Sequence, residues 1–118
     1  MDDDRLELII GADQAPYWDV STTPGGATYV NMTGYALQFV VRRNSDNAVV
    51  VSKTTGAAQI AISTGLGTGS RATVTILDTD ITHEPGNHYS GALWRTDDGS
   101  DTPYWAGGVT LRAAAMQV

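Results

Sequence analysis

Tyr35-Ala36-Leu37-Gln38-Phe39-Val40-Val41-Arg42-Arg43, then Asn44-Ser45-Asp46-Asn47, then Ala48-Val49-Val50-Val51-Ser52 is the stretch that decides the fold. In an extended chain successive side chains point to opposite sides. Tyr35, Leu37, Phe39 and Val41 therefore share one face, while the small Ala36 joins Gln38 and Arg42 on the other, a period of two rather than 3.6. The four polar residues that follow bond readily to nearby backbone and tolerate left-handed conformations. A β-branched run returns after them, so the stretch reads as a hairpin.

The same alternation extends in both directions. Leu6 to Ile10 is a short apolar strand closed by Gly11-Ala12-Asp13 and Pro16; Tyr17 to Val20 is a second, followed by a Ser21 to Gly26 loop. Downstream, Ala58 to Ser63 and Arg71 to Leu77 flank the Gly-rich Thr64 to Ser70 and form a second hairpin. Asp78 to Gly86 is irregular: Asp78 or Thr79 caps one helical turn, which Pro85-Gly86 stops. Asn87 to Arg95 and Tyr104 to Arg112 are the last strands, joined by the polar Thr96 to Thr102, with Gly107-Gly108 marking a bulge or bend. No window of helical length carries an apolar stripe. Seven or eight short, evenly spaced strands imply an all-β sandwich or barrel. The expected layout is an acidic N-terminal arm over 1–4, the β domain over 5–112 and a tail over 113–118.

With 118 residues the chain is expected to be one domain, burying roughly 65% of the surface its unfolded form exposes. Thirteen Asp and Glu against 7 Lys and Arg give a formal charge of -6. That balance opposes a grip on nucleic-acid phosphates or on anionic membranes, both of which need clustered cations. There is no Cys, which fits folding in a reducing compartment or a core that needs no staple. Met1-Asp2-Asp3-Asp4-Arg5 is unlike a signal peptide, and no run approaches the about 20 apolar residues of a membrane span.

The motifs that suggest chemistry each fail on spacing. His83-Glu84-Pro85-Gly86-Asn87-His88 places two His five apart across Pro and Gly, whereas the zinc helix needs them four apart on one face; it reads as a polar turn. Asp78-Thr79-Asp80 with Glu84 alternates carboxylates as calcium loops do, but His83 stands where the calcium helix-loop-helix motif has Gly. A helix cap is the simpler reading, a weak calcium site the alternative. Asp97-Asp98-Gly99-Ser100-Asp101 is first a hairpin turn. Gly65-Leu66-Gly67-Thr68-Gly69 lacks the Lys-Ser/Thr of a phosphate cradle, and no nucleophile elbow occurs. Asn31-Met32-Thr33 matches a glycosylation acceptor that no secretion signal supports. No catalytic residue, metal or cofactor is expected.

Trp18, Trp94 and Trp105, with five Tyr, are many aromatic residues for so small a domain. Such side chains suit cores, protein interfaces and sugar-stacking platforms. Neighbours in a strand face opposite ways, so Tyr17-Trp18 and Tyr104-Trp105 each put one ring in the core and one outside. Tyr17, Trp18, Trp94, Tyr104 and Trp105 are the interface candidates, together with the acidic arm Asp2, Asp3 and Asp4.

Val30-Asn31-Met32-Thr33-Gly34-Tyr35 leading into Ala36 to Arg43 resembles the strand entry of small immunoglobulin-like domains in tailed-bacteriophage virions. Gly11 to Val20 sits where those domains have a first polar turn and second strand. Ile76 to Ile81, then Pro85-Gly86-Asn87-His88-Tyr89, resembles their turn before a Pro-Gly-x-Tyr strand, here one residue longer, which leaves open the face taken by Trp94. Asp97-Asp98-Gly99 and Gly107-Gly108-Val109-Thr110-Leu111 resemble their closing hairpin. The resemblance spans residues 5–112 in outline. It implies an antiparallel immunoglobulin-like β-sandwich of seven or eight strands and a non-catalytic virion protein assembled in the host cytoplasm. A capsid decoration or cement protein is the leading expectation, binding major capsid subunits as a homo-oligomer, such as a trimer. A neck, tail or baseplate adaptor that binds tail subunits is the alternative, and a carbohydrate-binding module for host glycans is a further one; a hydrolase has no constellation to support it.

Overall fold

Alternation along the strands sorts the chain into inside and outside. The computed structural model describes residues 5–20, 34–63, 70–97 and 103–113. Among these there are eight strands and no helix: β1 Leu6–Ile10, β2 Tyr17–Val20, β3 Leu37–Arg43, β4 Val49–Thr54, β5 Ile60–Ser63, β6 Ser70–Val74, β7 Gly86–Arg95 and β8 Pro103–Ala113. They form a five-stranded sheet in the order β1-β8-β7-β3-β4 and a three-stranded sheet in the order β2-β6-β5. Leu37, Phe39 and Val41 of β3, Tyr89 and Leu93 of β7, and Ala72 and Val74 of β6 are all within 1% of full burial between the sheets.

Both hairpins read from the sequence are present: β3 pairs with β4 and β5 with β6, each antiparallel. The first turn is closed by Asn47 N–H donating to the Arg43 carbonyl at 2.7 Å, with Asn47 at φ 63° in the left-handed region that Asn tolerates. The three-stranded B-E-D sheet, packed on a G-F-C sheet with an added C′ edge strand, is the immunoglobulin arrangement. Here β2, β6 and β5 are the former and β8, β7, β3 and β4 the latter. Tyr89 near the start of β7 supplies the matching corner contact: buried to 1% exposure, its hydroxyl donates to the Glu84 carbonyl at 2.6 Å. Burial, with the Glu84 carboxylate nearby, pushes its phenol pKa upward, so it stays the donor.

Three expectations are corrected. The sandwich is not wholly antiparallel: β1 runs parallel to β8, Leu6 opposite Val109 and Leu8 opposite Leu111. A strand's partner across the whole chain leaves no mark on its own alternation. Beyond β1 the chain changes sheets at Gly11, and Gln14 bridges to Ile76 of the other layer. The Gln14 amide also replaces a missing strand neighbour, accepting from Ile9 N–H at 3.0 Å and donating to the Ile9 carbonyl at 2.8 Å. Second, Asp78 and Thr79 cap no helical turn. Asp80 does the work, its carboxylate accepting from Leu77 N–H at 2.7 Å within a plain turn. Third, β8 runs through Gly107-Gly108 in register, opposite Gly91 and Ser90. The register shifts fall at Gly86/Tyr89 and Leu93/Trp94 instead, and the first absorbs the extra residue before Tyr89.

In antibody domains a disulfide joins B and F, its second Cys two residues after the corner tyrosine. This chain has Gly91 there. A Cβ on Gly91 would lie 3.0 Å from Val109, 3.2 Å from the Trp105 ring and 3.3 Å from the Val40 carbonyl. Aromatic rings fill the region: Trp18 stands 5.3 Å from Phe39 and 5.2 Å from Trp105, centroid to centroid. Gly91→Ala therefore crowds the core and is expected to lower stability by about 1–3 kcal/mol, whereas Gly56→Ala, with open space around it, stays within about 0.5 kcal/mol. Tyr89→Phe, which orphans the Glu84 carbonyl, is expected to cost about 1–2 kcal/mol. Urea unfolding of the three variants checks the ranking.

Candidate functional site

The alternation that buries Tyr89, Gly91 and Leu93 turns Ser90, Ala92 and Trp94 to the outer face of the five-stranded sheet. Their cross-strand partners on β3 are Arg42, Val40 and Gln38; on β8, Gly108 lies opposite Ser90 and Ala106 opposite Ala92. Small side chains thus occupy the middle of this face, with the Arg5 guanidinium lying over Gly108 and bonded to Thr110 Oγ1 at 2.9 Å, and Trp94 and Arg42 rise at its two ends. The Trp94 indole N–H donates to Gln38 Oε1 at 3.1 Å, which fixes the ring on the sheet. Val40 is only 8% exposed despite facing outward. A shallow recess of about 200 Å³ opens here, lined by Trp94, Ala92, Val40 and Gly91 and, toward the β3–β4 turn, by Ser90, Arg42, Asn44 and Asn47. Ser90 Oγ donates to Asn44 Oδ1 at 2.7 Å and Arg42 Nη1 to the Asn47 carbonyl at 3.1 Å.

The aromatic candidates are dispersed. Trp18 and Trp105 are half-buried between the layers, Trp18 tilted against Phe39 and Trp105 stacked on it. Tyr17, 55% exposed, faces away on the three-stranded sheet with the Arg71 guanidinium 4.0 Å from its ring centre. Pro103 pairs with Trp94 and Trp105 with Leu93, so Tyr104 is the additional residue of a bulge and packs half-buried against the core. Only Trp94 joins a recess with polar groups. Its face follows from pairing with Gln38, which nothing in the local sequence spacing could reveal. Asp2, Asp3 and Asp4 lie outside the described residues, as do Gly65 to Gly69, Asn31 to Thr33 and Asp98 to Asp101.

Around the E–F corner the charged groups pair with one another. Glu84 lies 3.0 Å from His88 Nε2 and 3.3 Å from Arg43, which also holds Asp46 at 2.9 Å. The His88 hydrogen bond first, with Arg43 adding, holds the Glu84 carboxyl at about 2. Among the described residues no three His, Cys, Asp or Glu side chains converge as a metal site would require. Of the near-miss zinc pair, His88 is engaged by Glu84.

No family model matches this chain, and no curated protein does. Two similar solved structures are the ZIG-8 IG1 homodimer and the ZIG-8-RIG-5 IG1-IG1 heterodimer in a monoclinic form. The first is 11% identical over 93% of this chain and 79% of that one, with a TM-score of 0.38. The second is 10% identical over 91% and 80%, with a TM-score of 0.37.

A second polar recess lies along β4, the edge strand of the five-stranded sheet among the described residues, lined by Val50, Val51, Ser52, Lys53, Gln59 and Asp80. Lys53 points inward at 6% exposure, and its ammonium donates to Asp80 Oδ2 at 2.6 Å. An inward charge on an edge strand opposes unwanted pairing with another chain. The Lys53 hydrogen bond first, then that from Leu77 N–H, keeps the Asp80 carboxyl below its ordinary range. A carboxyl depressed in the folded state stabilises at pH above its unfolded value of about 4 and loses that contribution as pH falls through the folded value. Acid titration of stability is expected to show this loss in the wild type and a shallower slope in Asp80→Asn. Asp80→Ala leaves Lys53 buried and uncompensated, at a cost of about 3 kcal/mol near neutral pH.

Proposed function

We propose that this chain is a non-catalytic bacteriophage virion protein that binds neighbouring virion subunits through the outer face of its five-stranded sheet. The observation that carries the reading is the make-up of that face. Ala92, Ala106 and Ser90 form a level centre beside the anchored Trp94, with the Arg5 guanidinium lying over neighbouring Gly108, so another protein's surface can approach closely along the Ala92–Ala106 side. A central aromatic anchor with small residues around it suits protein recognition. The virion context comes from the sequence resemblance over residues 5–112. Within it, decoration or cementing of the head, by a homo-oligomer such as a trimer, leads over a neck, tail or baseplate adaptor. The chain's ion pairs and aromatic contacts support a scaffold.

The reading is tested by sedimenting purified chain with heads and tails of the phage that encodes it. Wild type is expected to travel with heads. Ala106→Arg, which plants a long charge in the level centre, is expected to weaken binding at least about 10-fold, as burying an unpaired charge does. Tyr17→Ala, on the opposite sheet, should leave binding unchanged. Absence of affinity for every virion part rejects the role.

A further inference from the structure

We propose that the recess between Trp94 and Arg42 is a binding site for a short acidic saccharide, with the sugar ring against the indole and its carboxylate on the guanidinium. This goes beyond the subunit-binding role and stands or falls separately from it. The argument begins with spacing. Gln38 pairs with Trp94 and Arg42 with Ser90, so Trp94 and Arg42 lie four residues apart along adjacent strands, or about 13 Å at the rise of an antiparallel strand. Val40 and Ala92 form a low floor between them. The resulting trough is longer than an ion needs and, at about 200 Å³, smaller than the roughly 300 Å³ and upward of drug-sized pockets. A small, elongated ligand fits it.

Chemistry narrows the choice. Trp94 offers an apolar face with its only polar atom already committed to Gln38, so the ring contributes a dry, fixed platform for aliphatic C–H groups. The other end is dense in hydrogen-bonding groups. Asn44 has its Oδ1 engaged by Ser90, leaving its amide N–H donors, and Arg42 spends one nitrogen on the Asn47 carbonyl, leaving the rest of a five-donor fork. Asn47 adds its own amide. A ligand needs a C–H face at one end and several acceptors at the other, which describes a sugar better than an aliphatic or aromatic peptide side chain. The sign of charge comes from Arg42. Among the described residues it is the one charged side chain lining the trough, with no lining carboxylate, in a chain whose formal charge is -6. A guanidinium recognises a carboxylate in two-pronged fashion, so uronic and sialic acids are favoured over neutral sugars.

The test titrates the intact chain with sialyllactose, with a glucuronic-acid disaccharide and with lactose, following amide and indole N–H signals by NMR. Both acidic sugars, or either alone, are expected to shift Trp94, Ser90, Ala92 and Asn44 signals and to bind at least about 5-fold tighter than lactose, the size of one modest charge-assisted contact. Arg42→Gln, at an exposed position, is expected to erase that preference while retaining the weak neutral binding. Trp94→Ala is expected to abolish both, with its dispersed amide spectrum certifying the fold. No shift at these residues with any sugar overturns the site. Equal binding of lactose and the acidic sugars, or a preference that survives Arg42→Gln, overturns the assignment of an acidic ligand. An acidic peptide that displaces every sugar while shifting the same signals more strongly makes the recess a protein-docking site and likewise overturns it.

Discussion

Three rings from three strands, Trp18 of β2, Phe39 of β3 and Trp105 of β8, close the space between the two sheets. Each ring pair contributes about 0.5–1.5 kcal/mol beyond its buried area. They lie near the place where antibody domains have a disulfide, and the Trp105 indole can approach because Gly91 adds no Cβ between Val109 and the Val40 carbonyl. An aromatic cluster of this kind depends on shape rather than on an oxidising compartment. With no Cys in the chain, stability is indifferent to redox conditions, and the core tolerates volume changes poorly because interiors are packed to crystal density.

Strand β7 couples this core to the candidate binding surface. Its odd-numbered residues Tyr89, Gly91 and Leu93 face inward and its even-numbered residues Ser90, Ala92 and Trp94 face outward. Any slip of one residue would exchange the two sets. The Tyr89 hydroxyl on the Glu84 carbonyl pins the register at one end, and the bulge at Leu93/Trp94 adjusts it at the other. Fold and surface are therefore not separable here: the contact that holds the corner also presents Trp94 to solvent. The same economy holds at the edges, where the Gln14 amide occupies Ile9 and inward Lys53 guards β4.

Local pattern was enough for much of this. Period-two alternation in Leu37 to Arg43 and the Asn44-Ser45-Asp46-Asn47 turn announced the first hairpin, and both are where side-chain chemistry predicts them. Alternation also separated Tyr17 from Trp18, since neighbouring side chains in a strand must part. The Pro-Gly before Tyr89 marked the corner strand. These features are legible because they depend on residues within a few positions of one another.

The long-range choices were not. Leu6 to Ile10 reads identically whether it pairs parallel or antiparallel, and its partner lies about a hundred residues away in β8. Tyr104-Trp105 broke the alternation rule because the mismatch with Leu93-Trp94 is absorbed as a bulge on β8, a property of two strands together. Trp94, Arg42 and Asn44 met in one recess only after β3 and β7 were laid side by side. Sequence records what each residue prefers within its own turn or strand; which strands become neighbours is settled by burying both apolar faces at once, and only that collective packing sets distant side chains together.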